Sequence, residues 1–257
     1  MAFYYLSKIF WYLMNNAVFC ASKLENMNAI ITGATKGIGK AIAVKLAENG
    51  YNLAVCARNQ TELEALSAEL AYTGVRIFYA VADCSIKEQV YQFCSAVMGG
   101  FTEIDVLVNN AGVFIPGLLL DEDDDSFEQQ QLLNVNAAYY FGKYFGKIMR
   151  KQGRGHVFNV CSVASKEILE NAGSYCVTKS ALLSLNNVLR QELSKYNVKV
   201  TAILPGSTLT SSWEGTTIPA ERFVQPEDIA STLYSILNLS SGVNVEEIMI
   251  KPLQFNS

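Results

Sequence analysis

The sequence predicts an α/β fold, a Rossmann-type doubly wound parallel sheet of about seven strands with helices on both faces. Two observations predict it. Short apolar, β-branched runs alternate with longer helical patterns after Met27, and a glycine-rich turn joins the first such run to a helix. No Pro-, Gly- or Ser-rich linker divides the 257 residues, so residues 27–257 are predicted to form a single domain.

The predicted strands are apolar runs of the kind that parallel sheets bury on both faces, and they span 28–32, 52–57, 75–81, 104–109, 157–161, 198–204 and 247–251. The predicted helices lie between them, at 38–49, 61–72, 86–97, 127–151, 175–195 and 226–239. Gly50 is placed to end the first helix. The acidic run at 121–125 is interpreted as favourable charge at a helix start rather than as a metal site.

Composition excludes several classes of protein. Hydrophobic residues make up 50% of the chain and charged residues 17%, which is incompatible with a disordered chain. The net charge is −4 and no Lys/Arg-rich block occurs, so nucleic acid is not an expected partner. No Cys-x-x-Cys pair occurs, and His156 is the only histidine, so no metal site is predicted. Cys56 and Cys161 are expected as buried free thiols, and His156 as a residue without a catalytic role.

Residues 1–26 form an apolar, aromatic-rich extension whose role the sequence leaves open. Met27 is one candidate for the biological start, since a predicted strand follows it at once. Alternatively, residues 1–21 contact a membrane as an anchor, or the segment docks on the protein surface. The predicted fold needs nothing upstream of Met27, and we expect a cytoplasmic protein, with membrane association as the alternative.

The glycine-rich turn Thr32-Gly33-Ala34-Thr35-Lys36-Gly37-Ile38-Gly39 joins the first strand to the first helix. Free N–H groups at such a helix start can bind a pyrophosphate, and glycines allow the ligand to approach the backbone. The spacing Gly-x-x-x-Gly-x-Gly differs from the commoner Gly-x-Gly-x-x-Gly and from a P-loop. A tight turn without a ligand remains the alternative.

Two cations near this turn favour NADPH over NADH. An acidic residue about 20 positions after the glycine motif would accept from a ribose 2′-hydroxyl, but the second strand ends in Ala57-Arg58-Asn59 instead. Arg58 and Lys36 can pair with a 2′-phosphate. Solvated surface charges are the other interpretation of both residues.

A tyrosine and a lysine are predicted to share one helix face. Tyr175 and Lys179 stand at i and i+4, where the ammonium favours the phenolate and suits tyrosine to proton transfer. Ser162 stands thirteen positions before Tyr175, at the end of a predicted strand. Taken alone, a Tyr-x-x-x-Lys pair is usually a solvent-exposed pair without a catalytic role.

Together these motifs resemble the short-chain dehydrogenase/reductase family, classical type, over roughly residues 27–252. The motifs follow one another in the family's order, namely the glycine-rich turn, Asp83, Asn109-Asn110-Ala111-Gly112, Asn134, the Ser162–Tyr175–Lys179 set and Pro205-Gly206-Ser207-Thr208-Leu209-Thr210. The resemblance implies NADP(H) as cofactor. It implies a cofactor site made of Thr32, Gly33, Thr35, Lys36, Gly37, Ile38, Gly39, Arg58, Asn59, Asp83, Cys84, Asn110, Ala111, Gly112, Tyr175, Lys179, Pro205, Gly206, Thr208 and Thr210.

The resemblance also implies hydride transfer between a nicotinamide and a carbonyl or hydroxyl carbon of a small molecule. Tyr175 would donate the proton, Ser162 would hydrogen-bond the reacting oxygen, Lys179 would hold the nicotinamide ribose, and Asn134 would hold a water that leads to solvent. We expect an NADPH-dependent carbonyl reductase. A 3-oxoacyl-acyl-carrier-protein reductase and a cofactor-binding regulatory protein without turnover are the alternatives.

The family's subunits pair through two long helices, which predicts a homodimer or homotetramer. Four residues of the corresponding helices are candidates for an apolar contact patch, namely Phe141, Tyr144, Phe145 and Leu189. Packing of these side chains on the chain's own sheet is the alternative.

Overall fold

A computed structural model describes residues 27–253. The predictions for residues 1–26 therefore lie outside the described part of the chain. Within it, seven parallel strands form one sheet in the order β3-β2-β1-β4-β5-β6-β7. The strands are β1 (Asn28–Thr32), β2 (Asn52–Ala57), β3 (Ile77–Val81), β4 (Val106–Asn109), β5 (Gly155–Val160), β6 (Val198–Pro205) and β7 (Glu247–Ile250).

Helices cover both faces of this sheet. They are α1 (Gly37–Glu48), α2 (Gln60–Glu69), α3 (Lys87–Gly100), α4 (Asp124–Gln131), α5 (Ala137–Gln152), α6 (Gly173–Leu193) and α7 (Pro226–Leu237). Apolar side chains of α1, α2 and α7 form one buried layer, and those of α3 and α5 form the layer on the opposite face. The predicted fold class, a doubly wound Rossmann-type sheet, is confirmed.

Element boundaries differ from the sequence prediction where neighbouring strands set the pairing. β5 starts at Gly155, which pairs with Val198, and its last pair joins Val160 to Ile203. Cys161 therefore lies beyond the strand, in contrast to the predicted 157–161. Gly50 adopts φ +82° just after α1, so the predicted helix end is confirmed.

The predicted helix 127–151 is interrupted. α4 starts earlier, with Asp124 and Asp125 in its first turn. The helix dipole stabilises acidic side chains there, as predicted. A π-helical turn, Leu132–Asn136, then separates α4 from α5. Such a turn adds a residue to the helix and changes the direction of its side chains.

Part of the predicted contact patch between subunits is wrong. Phe141 and Phe145 are fully buried and belong to the core under α5, since an apolar helix stripe first covers the protein's own sheet. Tyr144 and Leu189 are half-buried against the same layer. The alternative, packing on the chain's own sheet, therefore applies to this set.

His156 is a structural residue of the core. Its ring stacks on Phe158 at a centroid distance of 4.0 Å, and Nε2 lies 2.8 Å from Thr201 Oγ1. Burial lowers the pKa of His156 to about 3, so the ring is neutral at physiological pH. Cys56 and Cys161 are buried free thiols, as predicted.

Candidate active site

The predicted site residues meet at one edge of the sheet. β1, β4, β5 and β6 all point their carboxyl ends at this edge, because the sheet is parallel. The strand order reverses between β1 and β4, and parallel α/β sheets bind ligands in the crevice that such a reversal creates.

The glycine-rich turn has a backbone that only glycine accommodates well. Gly33 and Gly37 have φ of +65° and +52°, a region that residues with a Cβ rarely adopt. A Cβ on Gly39 would overlap the Gly33 carbonyl oxygen and Asn110 Nδ2. The turn is therefore held close against the end of β4.

The start of α1 is open to an anion. Its capping residue, Lys36, makes no side-chain cap hydrogen bond, and the first turn contains no acidic residue. The first N–H groups of a helix have no partner within the helix, and they attract phosphate. The turn therefore fits the pyrophosphate of a dinucleotide.

Thr32 and Asn110 fasten the ends of β1 and β4 together. Thr32 Oγ1 accepts hydrogen bonds from the backbone N–H groups of Asn110 and Ala111, each at 3.0 Å. Asn110 Nδ2 donates to the carbonyl oxygens of Thr32 and Gly33 at 3.0 and 2.9 Å. These four bonds fix the glycine-rich turn before any ligand binds.

The two cations predicted to bind a 2′-phosphate lie beside this turn, but one is already paired. Lys36 Nζ lies 2.8 Å from Glu62 Oε1, and Thr35 Oγ1 donates to Glu62 Oε2 at 2.9 Å. Arg58 is exposed and makes no ion pair within the described residues. Sequence reasoning missed Glu62, although Asn59-x-x-Glu62 has the spacing of a helix capping box.

Asp83 and Cys84 follow β3 at the same edge. Asp83 Oδ1 accepts from the Ser85 backbone N–H at 2.9 Å and from its hydroxyl at 2.6 Å. Cys84 is buried, and its sulfur lies 3.8 Å from that of Cys56. The Cys84 side chain therefore faces the core.

Tyr175 and Lys179 lie on α6, which packs beside the short helical turn that Ser162 caps just after β5. Lys179 Nζ lies 5.7 Å from the centre of the Tyr175 ring and donates to the Val160 carbonyl oxygen at 3.0 Å. Ser162 Oγ accepts from the Ala164 backbone N–H at 3.1 Å. Within the described residues, the Tyr175 hydroxyl makes no hydrogen bond, so it is available to a ligand.

Asn134 lies in the π-helical turn and is tied to the loop after β4. Its Oδ1 accepts from the Val113 N–H at 2.7 Å, and its Nδ2 donates to the Val113 carbonyl at 2.9 Å and to Thr178 Oγ1 at 3.2 Å. The side-chain amide is thus occupied in positioning this loop. A Cβ on Gly112 would meet Asn134 Oδ1 at 3.0 Å and Lys179 Nζ at 3.5 Å. A glycine at this position therefore leaves room for both groups.

The loop after β6 closes over the glycine-rich turn. A Cβ on Gly37 would meet Thr210 Cγ2 at 3.0 Å. Thr208 is buried, with its hydroxyl bonded to the Gly206 carbonyl at 3.0 Å. Pro205 ends β6 just before Gly206, and Thr210, later in the same loop, lies beside Gly37 at the start of α1.

An aromatic ring packs against Tyr175, a contact that sequence reasoning missed. The Phe114 ring meets the Tyr175 ring edge-to-face at 4.9 Å. The loops after β4 and β5 are joined by backbone hydrogen bonds from Gly117 to Asn171 and from Gly173 to Gly117. Their exposed large side chains form an apolar rim, which consists of Phe114, Leu118, Leu119, Leu120, Ile168 and Leu169.

The charged residues of the second loop are paired. Lys166 forms an ion pair with Glu247, and Glu167 forms one with Lys251 at 2.5 Å. The rim therefore offers few unpaired cations to a negatively charged ligand. Among residues 27–253, no group of three or more acidic, histidine or cysteine side chains could hold a metal ion, and no helix is long and apolar enough to cross a membrane.

The fold and the site define a dinucleotide-dependent oxidoreductase scaffold. A family model for short chain dehydrogenases matches residues 27–218, and the chain belongs to this family. An uncharacterized oxidoreductase of Staphylococcus aureus is 31% identical over 231 residues, which cover 90% of this chain and 99% of the relative.

Solved structures of oxidoreductases are similar to this chain. An alcohol dehydrogenase from Thermococcus sibiricus, complexed with 5-hydroxy-NADP, superimposes with a TM-score of 0.83 at 31% identity, covering 91% of this chain and 99% of that chain. An L-sorbose reductase from Gluconobacter frateurii, complexed with NADPH and L-sorbose, gives a TM-score of 0.83 at 26% identity, covering 89% and 96%.

Proposed function

We propose that the protein is an NADPH-dependent reductase that converts a ketone into a secondary alcohol. The observation that supports the proposal is the Tyr175 hydroxyl, which is without a hydrogen bond among the described residues and belongs to a ring whose centre lies 5.7 Å from Lys179 Nζ. The similar structures that contain NADP or NADPH support the choice of cofactor.

The residues present fit NADP(H), which when bound supplies the hydride. The free N–H groups at the start of α1 would hold the pyrophosphate, and Arg58 and Lys36 would hold the 2′-phosphate. Asp83 and the backbone of Cys84 would contact the adenine. The loop around Thr208 and Thr210 would contact the nicotinamide end.

The remaining cofactor contacts come from the chain's own polar groups. One Lys179 proton donates to Val160, which leaves two protons for the hydroxyls of the nicotinamide ribose. Backbone groups of Asn110, Ala111 and Gly112 would line the middle of the cofactor, where Asn110 holds the strand ends together.

Tyr175 would donate a proton to the substrate oxygen as the hydride reaches the carbonyl carbon. The Ser162 oxygen accepts a bond from Ala164, so its own hydrogen is free to point at the same oxygen and stabilise the developing charge. Lys179, whose Nζ lies 5.7 Å from the centre of the Tyr175 ring, would hold the nicotinamide ribose beside this hydroxyl. The role that the resemblance implies for Asn134, holding a water that leads to solvent, stays a prediction, and its side-chain amide also fixes the loop that carries Gly112 and Val113.

We infer that the substrate is a neutral ketone with an apolar body. The apolar rim lies on the two loops after β4 and β5, its member Phe114 packs against Tyr175, and it can bury such a body. A 3-oxoacyl thioester on an acyl carrier brings a phosphate, which would have to compete with carboxylates for Lys166 and Lys251. A free ketone is therefore favoured over a 3-oxoacyl thioester on an acyl carrier as the substrate.

A panel assay tests this proposal. The purified protein is given NADPH and ketones of matched size, namely apolar ketones, polyhydroxy ketones and a 3-oxoacyl thioester, and oxidation of NADPH is followed. We expect the highest kcat/KM with the apolar ketones. Absence of NADPH oxidation with every compound, despite NADPH binding, would instead support a cofactor-binding protein without turnover.

We also propose that the protein is a homodimer or homotetramer. Since Phe141 and Phe145 are buried, the contact would use the solvent side of α5 and α6, where Tyr139, Val177 and Val188 are 44–49% exposed. Light scattering at micromolar concentration checks the assembly, and a monomer there would contradict it.

A further inference from the structure

A carboxylate occupies the place where this chain would bind the 2′-phosphate of its cofactor. Glu62 is in the first turn of α2, directly after the loop that carries Arg58. Its carboxylate accepts from Lys36 at 2.8 Å, from the Thr35 hydroxyl at 2.9 Å and from Asn59 Nδ2 at 3.3 Å. The donors that surround Glu62 are thus those that a phosphate would use.

The charges and hydrogen-bond donors around Glu62 favour an anion at this position. Hydrogen bonds from Lys36 and Thr35, and the charges of Lys36 and Arg58, lower the pKa of Glu62. The same pairing raises the pKa of Lys36, with a smaller contribution from Glu214. The carboxylate is therefore ionised, and it partly neutralises the cations beside it.

Resting on the proposed function, we propose that Glu62 is a specificity residue that competes with the 2′-phosphate of NADP(H) for Lys36 and Thr35. A bound 2′-phosphate displaces the carboxylate from these donors or is repelled by it. A ribose 2′-hydroxyl meets no such conflict, because it can donate to a carboxylate. Glu62 therefore reduces the preference for NADPH that Lys36 and Arg58 create.

The position of Glu62 allows such displacement. Its side chain is 30% exposed and that of Lys36 is 64% exposed, so both can move into solvent without opening the core. The backbone N–H of Glu62 is held separately, by Asn59 Oδ1 at 3.2 Å. Movement of the carboxylate therefore leaves the helix cap intact.

Calorimetric titration with two cofactor fragments tests the proposal without any turnover. The full chain is titrated with 2′,5′-ADP, which has the 2′-phosphate, and with 5′-AMP, which lacks it. We expect Glu62→Gln to bind 2′,5′-ADP about tenfold more tightly than the unchanged protein, with 5′-AMP affinity altered less than about twofold.

A matched control separates competition from net charge. Glu64→Gln removes the same charge two positions along α2, where Glu64 bonds to Gln60 rather than to Lys36. We expect it to leave both affinities unchanged. If Glu64→Gln strengthens 2′,5′-ADP binding as much as Glu62→Gln does, a general charge effect explains the result and the proposal is wrong.

The variant Lys36→Met distinguishes two roles of Glu62, namely competing with the phosphate for Lys36 and orienting Lys36 toward the phosphate. If Glu62 competes for Lys36, the gain from Glu62→Gln shrinks when Lys36 is already absent. A loss of 2′,5′-ADP affinity in Glu62→Gln would show that Glu62 orients Lys36 toward the phosphate, and would overturn the proposal. Failure of the unchanged protein to bind either fragment would instead refute the proposed dinucleotide function.

Discussion

The cofactor side and the substrate side of the site differ in how far their polar groups are already paired. On the cofactor side, Asn110 and Thr32 make four hydrogen bonds that fix the glycine-rich turn. On the substrate side, the Tyr175 hydroxyl makes none with the described residues, and Phe114 and Leu120 are exposed. We therefore propose that the cofactor side is preformed, whereas the substrate side would be completed by the substrate.

Of the variants that test this comparison, Lys179→Met should have the largest effect on activity, because Lys179 is assigned to both the cofactor side and the substrate side. We expect turnover to fall at least about a hundredfold and NADPH affinity to fall as well. Steady-state rates and NADPH titration measure the two effects separately. A variant that lost affinity but kept its kcat would show that Lys179 serves the cofactor side alone.

Arg58→Asp changes only the cofactor side. The unchanged protein should bind NADPH at least about tenfold tighter than NADH, and the variant should reverse this order, because aspartate repels a 2′-phosphate and accepts from a 2′-hydroxyl. Titration with both cofactors at moderate salt checks the result. Equal affinities in the unchanged protein would contradict the role given to Arg58.

Phe114→Ala changes only the substrate side. Loss of the ring against Tyr175 should raise KM for apolar ketones several-fold and leave NADPH affinity unchanged, since an aromatic contact contributes about 1 kcal/mol. Phe127→Ala removes a ring of similar exposure on α4 and serves as the control. Equal effects of the two changes would show that the apolar rim has no special role.

His156 should affect stability without affecting either side of the site. Its folded-state pKa of about 3 lies below the usual 6.5, so the unfolded chain binds the proton more readily. Stability is then full above pH 6.5 and falls by up to about 1.4 kcal/mol per pH unit toward pH 3. Unfolding of His156→Asn across this range should show a shallower acid loss with unchanged ketone reduction. An equal slope would contradict the assignment.

The sequence predicted the cofactor side better than the substrate side. The spacing of Gly33, Gly37 and Gly39 indicates where the backbone needs a glycine. The structure shows positive φ at Gly33 and Gly37 and a close approach to neighbouring atoms at Gly39. The ring contact of Phe114 with Tyr175 depends on how two loops distant in sequence pair at Gly117, which periodicity does not record.

Two further residues show why side-chain pairing escaped the sequence analysis. Lys36 was interpreted by its charge alone, but its neighbour Glu62 lies 26 positions away and meets it only when α2 packs beside the turn. The sequence makes Phe141 a candidate for a subunit contact or for packing on the chain's own sheet, and the structure buries it in the core. Charge and hydrophobicity predict what a residue can do, and the packing decides with which partner.

The most direct test of the central claim is a comparison of Tyr175→Phe with the unchanged protein, using NADPH titration and single-turnover mixing with a ketone that the panel identifies. The change removes only the hydroxyl, so NADPH should bind with unchanged affinity while the rate of NADPH oxidation falls at least about a hundredfold. Retention of most of the rate by Tyr175→Phe would show that another group donates the proton, and the mechanism proposed for this site would be wrong.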